Sequence, residues 1–421
     1  MDRDLYLVLL GATGFVGRLV AAHLAEHAPP GLRVALAGRS VQRLTALRGS
    51  LPGPAGSWPL LELDLTDDET VREVADRTRV VATTAGPYAD RGLPLVRACA
   101  AGGTAYADLT GELLFVHRTV AECHETAEAT GARIVHACGF DSVPSDLGVW
   151  LTAERARADG AGGLTDTLLR VRSMRGGFSG GTIDSLRTQL RMLREDPTAA
   201  EVLGDPLALV GDRVVRPGSG TSAPSTPPAP ARRRRHRLQR DDSTGRWQAP
   251  FVMGRFNAAV VRRSHALLDR AYGPRFRYRE VVDTGPGLRG AVRGAASVAA
   301  LGLVSTGLAH RPTRAVLDRL LQAPGEGPSE RTLRQGRFRF EIEALTERGA
   351  LYRTTVAAGL DPGYAGTAVM FGQAALALAA GEGTGRAGVL TPATAFGPAL
   401  VDRLRAHGFE VSAEQLRVPR G

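Results

Sequence analysis

The start of the chain restricts the fold more than any other segment, because a short apolar run there ends in closely spaced glycines. Residues 5–10 (LYLVLL) have the unbroken apolar character of a buried strand. Residues 11–17 (GATGFVG) follow directly, and from Arg18 to His27 the apolar residues recur at helical spacing. A strand, a glycine-rich turn and a helix in immediate succession are typical of the unit that binds the diphosphate of a dinucleotide.

Each glycine of this turn has a predicted task. Gly11 permits the tight turn, Gly14 lets the backbone approach a diphosphate, and Gly17 lets the helix pack closely on the strand. The first N–H groups of the helix then face the anion, which the helix dipole also favours. We therefore predict that the cofactor diphosphate lies against six residues of the turn, namely Gly11, Thr13, Gly14, Phe15, Val16 and Gly17.

The end of the second strand indicates which dinucleotide is bound. NAD-dependent enzymes place Asp or Glu there to bind the ribose 2′-hydroxyl. After the strand at 32–37, this chain has Gly38, Arg39 and Ser40 instead. The Arg39 guanidinium can pair with a 2′-phosphate through two hydrogen bonds, and the Ser40 hydroxyl can add a donor. The sequence therefore predicts NADP(H) rather than NAD(H), the alternative for Arg39 being an ordinary surface position.

Two further loops are predicted to lie along the same edge of the sheet. Asp64 follows the third strand (58–63), where the adenine ring lies in such folds, although its carboxylate can equally cap its own loop. The fourth strand (79–83) leads into a segment that we predict beneath the nicotinamide ribose, consisting of Ala85, Gly86, Pro87 and Tyr88.

A nicotinamide enzyme must also place a proton donor, and three residues are candidates. Tyr88 is the first, its alternative role being to pack against the cofactor ribose. Glu112, after the fifth strand, is the second, and helix capping is its alternative. Asp141, after the sixth strand, is the third, and it could instead orient the turn at 143–145. His136 lies in an apolar strand and is predicted to be a hydrogen-bonded core residue.

Strands and helices alternate through residues 1–147, which predicts a doubly wound parallel sheet. Beyond this point the segments become half-polar and follow one another closely, which favours antiparallel pairing. Strands are predicted near 251–261, 276–282, 337–344 and 350–360, and helices near 365–380 and 394–407. Residues 217–237 are of low complexity and end in a basic run, which is typical of an exposed insert.

A second glycine-rich turn is predicted to open a helix. Its residues Ser179, Gly180, Gly181 and Thr182 could hold a substrate carboxylate, a thioester oxygen or a phosphopantetheine phosphate with their N–H groups, or could form a plain turn with Thr182 as the N-cap. Residues 295–309 are uncharged and would form a helix of roughly 22 Å, which is too short for a bilayer core of roughly 30 Å. We predict a buried or tunnel-lining helix there, with peripheral membrane contact as the alternative.

Composition excludes several chemistries. The 421-residue chain has no lysine, so all 53 of its basic residues are arginines. A P-loop lysine, a Schiff base on a side chain and a Tyr-x-x-x-Lys relay are therefore impossible, and arginine cannot act as a general base. The net charge of +10 is weak evidence for nucleic-acid binding, since dispersed arginine with only 5% aromatic residues is typical of a solvated surface. No nucleic-acid partner is predicted.

The cysteines indicate a reducing environment. Cys99, Cys123 and Cys138 are too few and too scattered for a disulfide framework or a metal site, and no metal is predicted. The N-terminus lacks the pattern of a signal peptide, because Asp2 and Asp4 precede the first apolar run. These features favour a cytoplasmic protein.

Taken together, these motifs resemble those of the saccharopine dehydrogenase-like oxidoreductase family. The matching segments occur in the same order and lie at 11–17 (GATGFVG), 37–40 (AGRS), 83–112, 138–148 (CGFDSVPSDLG), 179–182 (SGGT) and 390–397 (LTPATAFG). The branch that the chain most resembles is the bacterial trans-acting enoyl reductase group, which serves polyketide and lipid assembly. The catalytic lysine of true saccharopine dehydrogenases has no counterpart here, which counts against amino-acid chemistry.

The resemblance implies an NADPH-dependent reductase of an activated C=C bond in a polyketide or lipid intermediate, free or bound to CoA or acyl carrier protein. It implies an α/β fold in which a Rossmann domain (1–147) is closed by C-terminal helices (365–421). An inserted α/β domain (148–364) would carry a mixed sheet that often forms a homodimer interface. The active site would lie in the cleft between the two domains.

Two alternatives stay open at this point. The same cleft could reduce a C=N or C=O bond. A different class is a non-catalytic, lipid-associated nucleotide-binding protein, with residues 295–309 as its membrane contact.

Overall fold

The computed structural model describes residues 3–176, 180–211, 238–242, 244–309, 327–328 and 330–418. Its first sheet has seven strands, all parallel, in the order β13-β6-β5-β4-β1-β2-β3. These strands are β1 (Leu5–Leu10), β2 (Val34–Gly38), β3 (Leu60–Glu62), β4 (Thr78–Thr83), β5 (Ala105–Asp108), β6 (Arg133–Val135) and β13 (Gly388–Leu390). The predicted doubly wound α/β sheet is confirmed.

Helices connect the strands of this sheet at the predicted rhythm. They are α1 (Phe15–His27), α2 (Val41–Ser50), α3 (Asp68–Arg77), α4 (Tyr88–Gly102), α5 (Leu113–Thr130) and α6 (Val143–Ala158), with a 3₁₀ turn at Gly53–Ser57. Ser40 caps α2 by accepting a hydrogen bond from the Arg43 N–H at 3.3 Å. Helix α3 begins directly after Asp67, whose side chain accepts from two N–H groups in the first turn of the helix.

The second sheet is mixed, as the resemblance implied, and has the order β14-β12-β11-β7-β10-β9-β8. Its strands are β7 (Leu164–Arg175), β8 (Gln239–Arg240), β9 (Arg246–Pro250), β10 (Arg277–Pro286), β11 (Arg337–Thr346), β12 (Leu351–Ala358) and β14 (Glu410–Arg417). Strands β7 and β10 pair in parallel, whereas the other pairs are antiparallel.

The strand predicted near 251–261 is wrong, because the chain forms a helix, α9 (Gly254–Leu267). Phe256, Val260 and Ser264 are buried at helical spacing in α9. A short, mostly apolar segment, here interrupted only at Gly254, Arg255 and Asn257, suits a buried helix as well as a buried strand, so periodicity alone could not separate the two.

The remaining helices surround both sheets. They are α7 (Gly180–Glu195), α8 (Pro197–Gly204), α10 (Gly287–Ala309), α11 (Glu330–Arg334), α12 (Thr367–Ala379), α13 (Pro392–Phe396) and α14 (Pro398–Ala406), with a π-helical turn at Pro362–Gly366. The C-terminal segment, predicted as helical, also contributes one strand to each sheet. It adds β13 to the edge of the first sheet and β14 to the edge of the second.

The uncharged segment at 295–309 lies within α10. Its described side chains, up to Leu303, are mostly exposed, and Leu303 is 71% exposed. The expectation of a buried helix does not hold for this part, since the packed face of α10 is formed by residues such as Gly294, which lies against Leu238. Among the described residues no helix is long and apolar enough to cross a membrane. The low-complexity insert at 217–237 lies outside them.

Candidate active site

The glycine-rich turn between β1 and α1 has the conformation that its sequence predicts. Gly11 has a φ of +78°, and an added Cβ there would lie 2.8 Å from Thr84 Oγ1 and 3.0 Å from the Ala85 nitrogen. A Cβ at Gly17 would overlap the carbonyl oxygen of Gly11. At Gly14 a Cβ would meet only that same oxygen among the described atoms, at 3.3 Å. The open side of the turn is therefore at Gly14, where a diphosphate was predicted to approach.

The N-terminus of α1 supports an anion at this place. Gly14 is the N-cap residue, and within the described parts of the chain no side chain accepts from the first N–H groups of the helix. Phe15 packs edge-to-face on Tyr364 with ring centroids 5.0 Å apart, while Arg18 donates to the Thr13 carbonyl oxygen at 2.8 Å. Val16 packs against the core. Uncapped N–H groups with a fixed helix dipole fit a bound diphosphate.

The loops after β2 and β3 bring the Arg39 guanidinium near the Asp64 carboxylate. Arg39 is exposed, and Asp64 accepts from the Thr66 N–H at 3.0 Å and from the Thr66 hydroxyl at 2.9 Å. These two bonds hold the pKa of Asp64 below its usual range, with smaller contributions from the Arg39 and Arg91 guanidinium groups. Asp64 therefore caps its loop, in line with one of its two expected roles.

Arg91 is a residue that the sequence analysis missed. It is exposed in the first turn of α4, close enough to Asp64 to lower its pKa together with Arg39. Strand order places β4 next to β1 and β1 next to β2, so the start of α4 comes near the end of β2. Only the sheet order could have identified Arg91, because nothing in its local sequence distinguishes it.

The loop after β4 is fastened to the glycine-rich turn. The Thr84 hydroxyl donates to the Gly11 carbonyl oxygen at 3.0 Å, and the Ala85 N–H donates to Thr83 Oγ1 at 3.1 Å. Gly86 and Pro87 then lead into α4. The predicted diphosphate and nicotinamide-ribose segments are therefore parts of one continuous surface.

Tyr88 lies at the start of α4 with its hydroxyl engaged by the backbone. The hydroxyl donates to the Thr83 carbonyl oxygen at 3.2 Å and accepts from the Leu109 N–H at 3.3 Å. Burial raises the pKa of Tyr88 well above its usual value, and the charges of Asp108, Glu112 and Asp141 add to this rise. The three predicted catalytic residues are thus neighbours, although the Tyr88 hydroxyl is part of the scaffold.

Glu112 is buried and holds the N-terminus of α4. Its carboxylate accepts from the Tyr88 N–H at 3.0 Å, the Ala89 N–H at 2.7 Å and the Ser185 hydroxyl at 2.8 Å. Burial raises its pKa, while these hydrogen bonds oppose the rise. Helix capping was one expected role for Glu112, and the structure shows that the capped helix is α4 rather than α5, which begins at the next residue.

Asp141 differs from Glu112 because its carboxylate accepts no hydrogen bond from the part of the chain that the structure describes. Its Oδ2 lies 3.6 Å from the position that a Cβ at Gly111 would take, and Met253 Cε lies 3.1 Å from that position. Burial raises the pKa of Asp141 to about 6. An uncommitted carboxyl group with this pKa can be protonated or ionised near neutral pH.

The polar side chains that follow Asp141 in the chain form hydrogen bonds with α9 and with the start of α13. Ser142 Oγ donates to Asn257 Oδ1 at 3.0 Å, and Asn257 Nδ2 donates to Ser145 Oγ at 3.3 Å. Asp146 accepts from the Ser264 hydroxyl and from the Ala393 N–H at 2.8 Å. The 141–146 motif therefore combines a structural network with one carboxyl group, that of Asp141, to which no described residue donates.

Other predicted residues have structural surroundings. His136 is buried, with Nδ1 2.7 Å from Asp108 Oδ2 and Nε2 2.8 Å from Thr119 Oγ1, so the prediction of a hydrogen-bonded core histidine is confirmed.

The second glycine-rich turn is only partly visible. Ser179 lies outside the described residues. Gly180, Gly181 and Thr182 form the start of α7, and the structure describes only their backbone. Further along α7, Ser185 reaches Glu112 and Arg191 pairs with Asp90 of α4. The helix that follows the predicted substrate turn therefore borders the candidate active site.

Comparisons with known proteins agree with this geometry. Residues 7–135 match the family model of the saccharopine dehydrogenase NADP binding domain, which confirms the predicted cofactor, NADP(H). A Mycobacterium tuberculosis protein provisionally named as a trans-acting enoyl reductase is 46% identical over 420 residues, covering 98% of each chain. The trans-acting enoyl reductase of Mycobacterium ulcerans is 43% identical over 99% of each chain.

Saccharopine dehydrogenase (L-Glu forming) from Saccharomyces cerevisiae has a similar fold, with a TM-score of 0.53 at 14% identity over 98% of this chain and 99% of that one. At this identity the likeness concerns the fold alone. The two mycobacterial relatives match at far higher identity over nearly their whole length. The chain therefore belongs to the trans-acting enoyl reductase family of saccharopine dehydrogenase-like, NADP-dependent oxidoreductases.

Proposed function

We propose that this protein reduces the activated C=C bond of an enoyl thioester with NADPH, and that Asp141 gives the proton that completes the reaction. One observation carries the assignment of Asp141. At the carboxyl edge of the NADP-binding sheet, its carboxyl group accepts no hydrogen bond from the described residues, whereas the nearby carboxyl groups of Glu112 and Asp146 both accept hydrogen bonds. The family membership supports the enoyl substrate.

The residues that would hold NADPH fit it well. The open backbone at Gly14 and the uncapped start of α1 suit the diphosphate, while Arg39 and Ser40 suit the 2′-phosphate. Ser40 keeps its hydroxyl proton available, because it caps α2 as an acceptor. When bound, NADPH supplies the hydride that reduces the β-carbon of an enoyl thioester.

Asp141 serves the other half of the reaction. Reduction at the β-carbon leaves negative charge on the thioester oxygen and the α-carbon, and that charge must be met by a proton. With a pKa of about 6, the Asp141 carboxyl is a better acid than water and is still protonated in part of the molecules near neutral pH. Glu112 and Tyr88 keep the loop and helix beside it in place.

We also propose the setting in which the reaction occurs. The relatives are named as trans-acting, which supports a substrate delivered by a separate carrier, either CoA or acyl carrier protein, in polyketide or lipid assembly. We expect a cytoplasmic homodimer that contacts membrane at most peripherally, through the exposed part of α10 (295–303).

An isotope experiment tests this function. The protein is given a short 2-enoyl thioester of N-acetylcysteamine or CoA with NADPH deuterated at the transferable position, and in parallel with ordinary NADPH in D₂O. We expect deuterium at the β-carbon in the first case and at the α-carbon in the second. Turnover of imine or carbonyl substrates with no enoyl reduction would contradict the proposal and favour the C=N or C=O alternative.

A further inference from the structure

Three histidines meet on the side of the first domain where α1 packs against the C-terminal helices. His23 and His27 are four residues apart on α1, and His407 follows the end of α14. The His23 and His27 rings stack with centroids 4.3 Å apart, and the His407 ring lies 4.8 Å from His27 and 5.4 Å from His23. One ring nitrogen from each of the three lies within 4.8 Å of the other two.

Backbone carbonyl groups determine which nitrogen of two rings carries the proton. His27 Nδ1 is 2.9 Å from the His23 carbonyl oxygen, and His407 Nδ1 is 2.7 Å from the Arg403 carbonyl oxygen. Since a carbonyl oxygen can only accept, each Nδ1 carries the proton and each Nε2 keeps its lone pair. Histidines that bind metals are usually held in this way, with the other ring nitrogen donating to a carbonyl or a carboxylate.

The contacts of Gln373 show that the Nε2 atoms of His23 and His407 point toward the same place. Its side-chain nitrogen lies 2.8 Å from His23 Nε2 and 3.0 Å from His407 Nε2. Arg403 donates to Gln373 Oε1 at 2.9 Å and is itself paired with Glu382, so the amide is oriented with its N–H groups toward the imidazoles. Both Nε2 atoms therefore act as acceptors aimed at one small region.

The surroundings keep the central imidazole uncharged. His23 is buried against α12, where a Cβ at Gly372 would lie 2.5 Å from its ring. Burial is the main cause that lowers the pKa of His23 to about 3, and the neighbouring His27 and His407 contribute to the same shift. A neutral imidazole is the form that binds a metal ion, so no proton has to be displaced at neutral pH.

We propose that His23, His27 and His407 form a binding site for a borderline divalent ion such as Zn²⁺ or Co²⁺. Imidazoles at i and i+4 on one helix face are a recurrent chelating pair, and a third histidine from another element completes three nitrogen ligands with a fourth position for water. The ion takes the place of the Gln373 N–H donors and joins α1 to the end of α14.

Small movements suffice to close the site. Two nitrogens on one zinc ion lie roughly 3.3 Å apart when each Zn–N bond is about 2.0–2.1 Å. His27 is exposed and His407 half-buried, so both rings have room for a small shift toward the buried His23. The site stands apart from the proposed proton donor, and its ion would act on stability rather than on the reduction.

Metal titration of untagged, chelator-stripped protein tests the proposal. We expect one equivalent of Co²⁺ to give the intense visible absorption of a four-coordinate nitrogen site, and Zn²⁺ to abolish it. The melting temperature should rise with Zn²⁺ concentration, since only the folded chain assembles the three ligands. Absence of both the Co²⁺ spectrum and the thermal shift would overturn the site.

Variants separate this site from adventitious binding. His27→Gln and His407→Gln should each weaken Co²⁺ at least about tenfold, because even outer-shell changes at metal sites cost about 10–100-fold. His117→Gln, which alters a histidine bonded to the Ala208 carbonyl oxygen elsewhere, should bind as the unaltered protein does. Gln373→Leu, which removes the competing donors, should not weaken binding. Equal affinity in all four variants would contradict the proposal.

Discussion

The loops that follow β5 and β6 lie side by side and each carries one carboxyl group, yet the two groups have opposite surroundings. Glu112, after β5, accepts three hydrogen bonds and fastens the start of α4 and a serine of α7. Asp141, after β6, accepts none from the described residues. The comparison teaches that burial alone does not mark a reactive acid, since burial raises the pKa of both. What distinguishes them is whether the hydrogen-bonding capacity is already used.

The largest expected effect is on turnover. Asp141→Asn keeps the shape of the side chain and removes its acid function, so we expect kcat/KM for an enoyl thioester to fall by about 10²–10⁴-fold. NADPH affinity, followed by fluorescence, should change little. Wild-type turnover in this variant would remove the distinction between the two loops.

The second effect is on stability and concerns the other loop. Glu112→Ala leaves two N–H groups of α4 and the Ser185 hydroxyl without their acceptor, which should lower the free energy of unfolding by about 2–4 kcal/mol. Glu112→Gln, which keeps one acceptor oxygen, should lose less. Urea denaturation of both Glu112 variants and of Asp141→Asn ranks their free energies of unfolding. If Asp141→Asn is the most destabilised of the three, Asp141 rather than Glu112 has the structural role.

A third effect links Asp141 to pH. Its pKa is about 6 in the folded protein and near its usual 3.8 in the unfolded chain, so the folded state binds more protons between these values. The stability that Asp141 contributes is therefore present at low pH and is lost as pH rises through about 6. Asp141→Asn should be more stable than the wild type by about 3 kcal/mol above pH 7, with the gain vanishing below about pH 4. A gain that does not vary with pH would contradict the raised pKa.

The smallest effects are on cofactor affinity, and the variants concerned should not disturb the loops that carry Glu112 and Asp141. Arg39→Ala should weaken NADPH by about 10–100-fold, the range of one charge-assisted contact, and change NADH little. Arg91→Ala, at the start of α4, should also weaken NADPH binding more than NADH binding, but by a smaller factor than Arg39→Ala. Equal losses for NADPH and NADH in Arg39→Ala would contradict the assignment of the 2′-phosphate to Arg39.

The sequence predicted the first domain well because its signals are local. Apolar strands, the GATGFVG turn and the absence of a carboxylate after β2 each depend on adjacent residues, and the structure and the matching family model agree with them. The α9 error arose because an apolar run fits a strand and a helix equally.

The roles of Glu112 and Asp141 could not be separated in advance. Each follows a strand and precedes a helix, and their different environments come from Ser185 and the start of α4, which other parts of the chain supply. The histidine cluster shows the same limit. The i, i+4 pair of His23 and His27 was readable, whereas the approach of His407 depends on how α14 packs.

The pH dependence of kcat/KM for the wild type and for Asp141→Asn, measured with one enoyl thioester, tests the central claim most directly. If Asp141 gives the proton, wild-type kcat/KM should decline as pH rises through about 6, the pKa of the group, and the low residual activity of Asp141→Asn should lack this decline. A variant that retains both the decline and the wild-type rate would show that the proton comes from elsewhere.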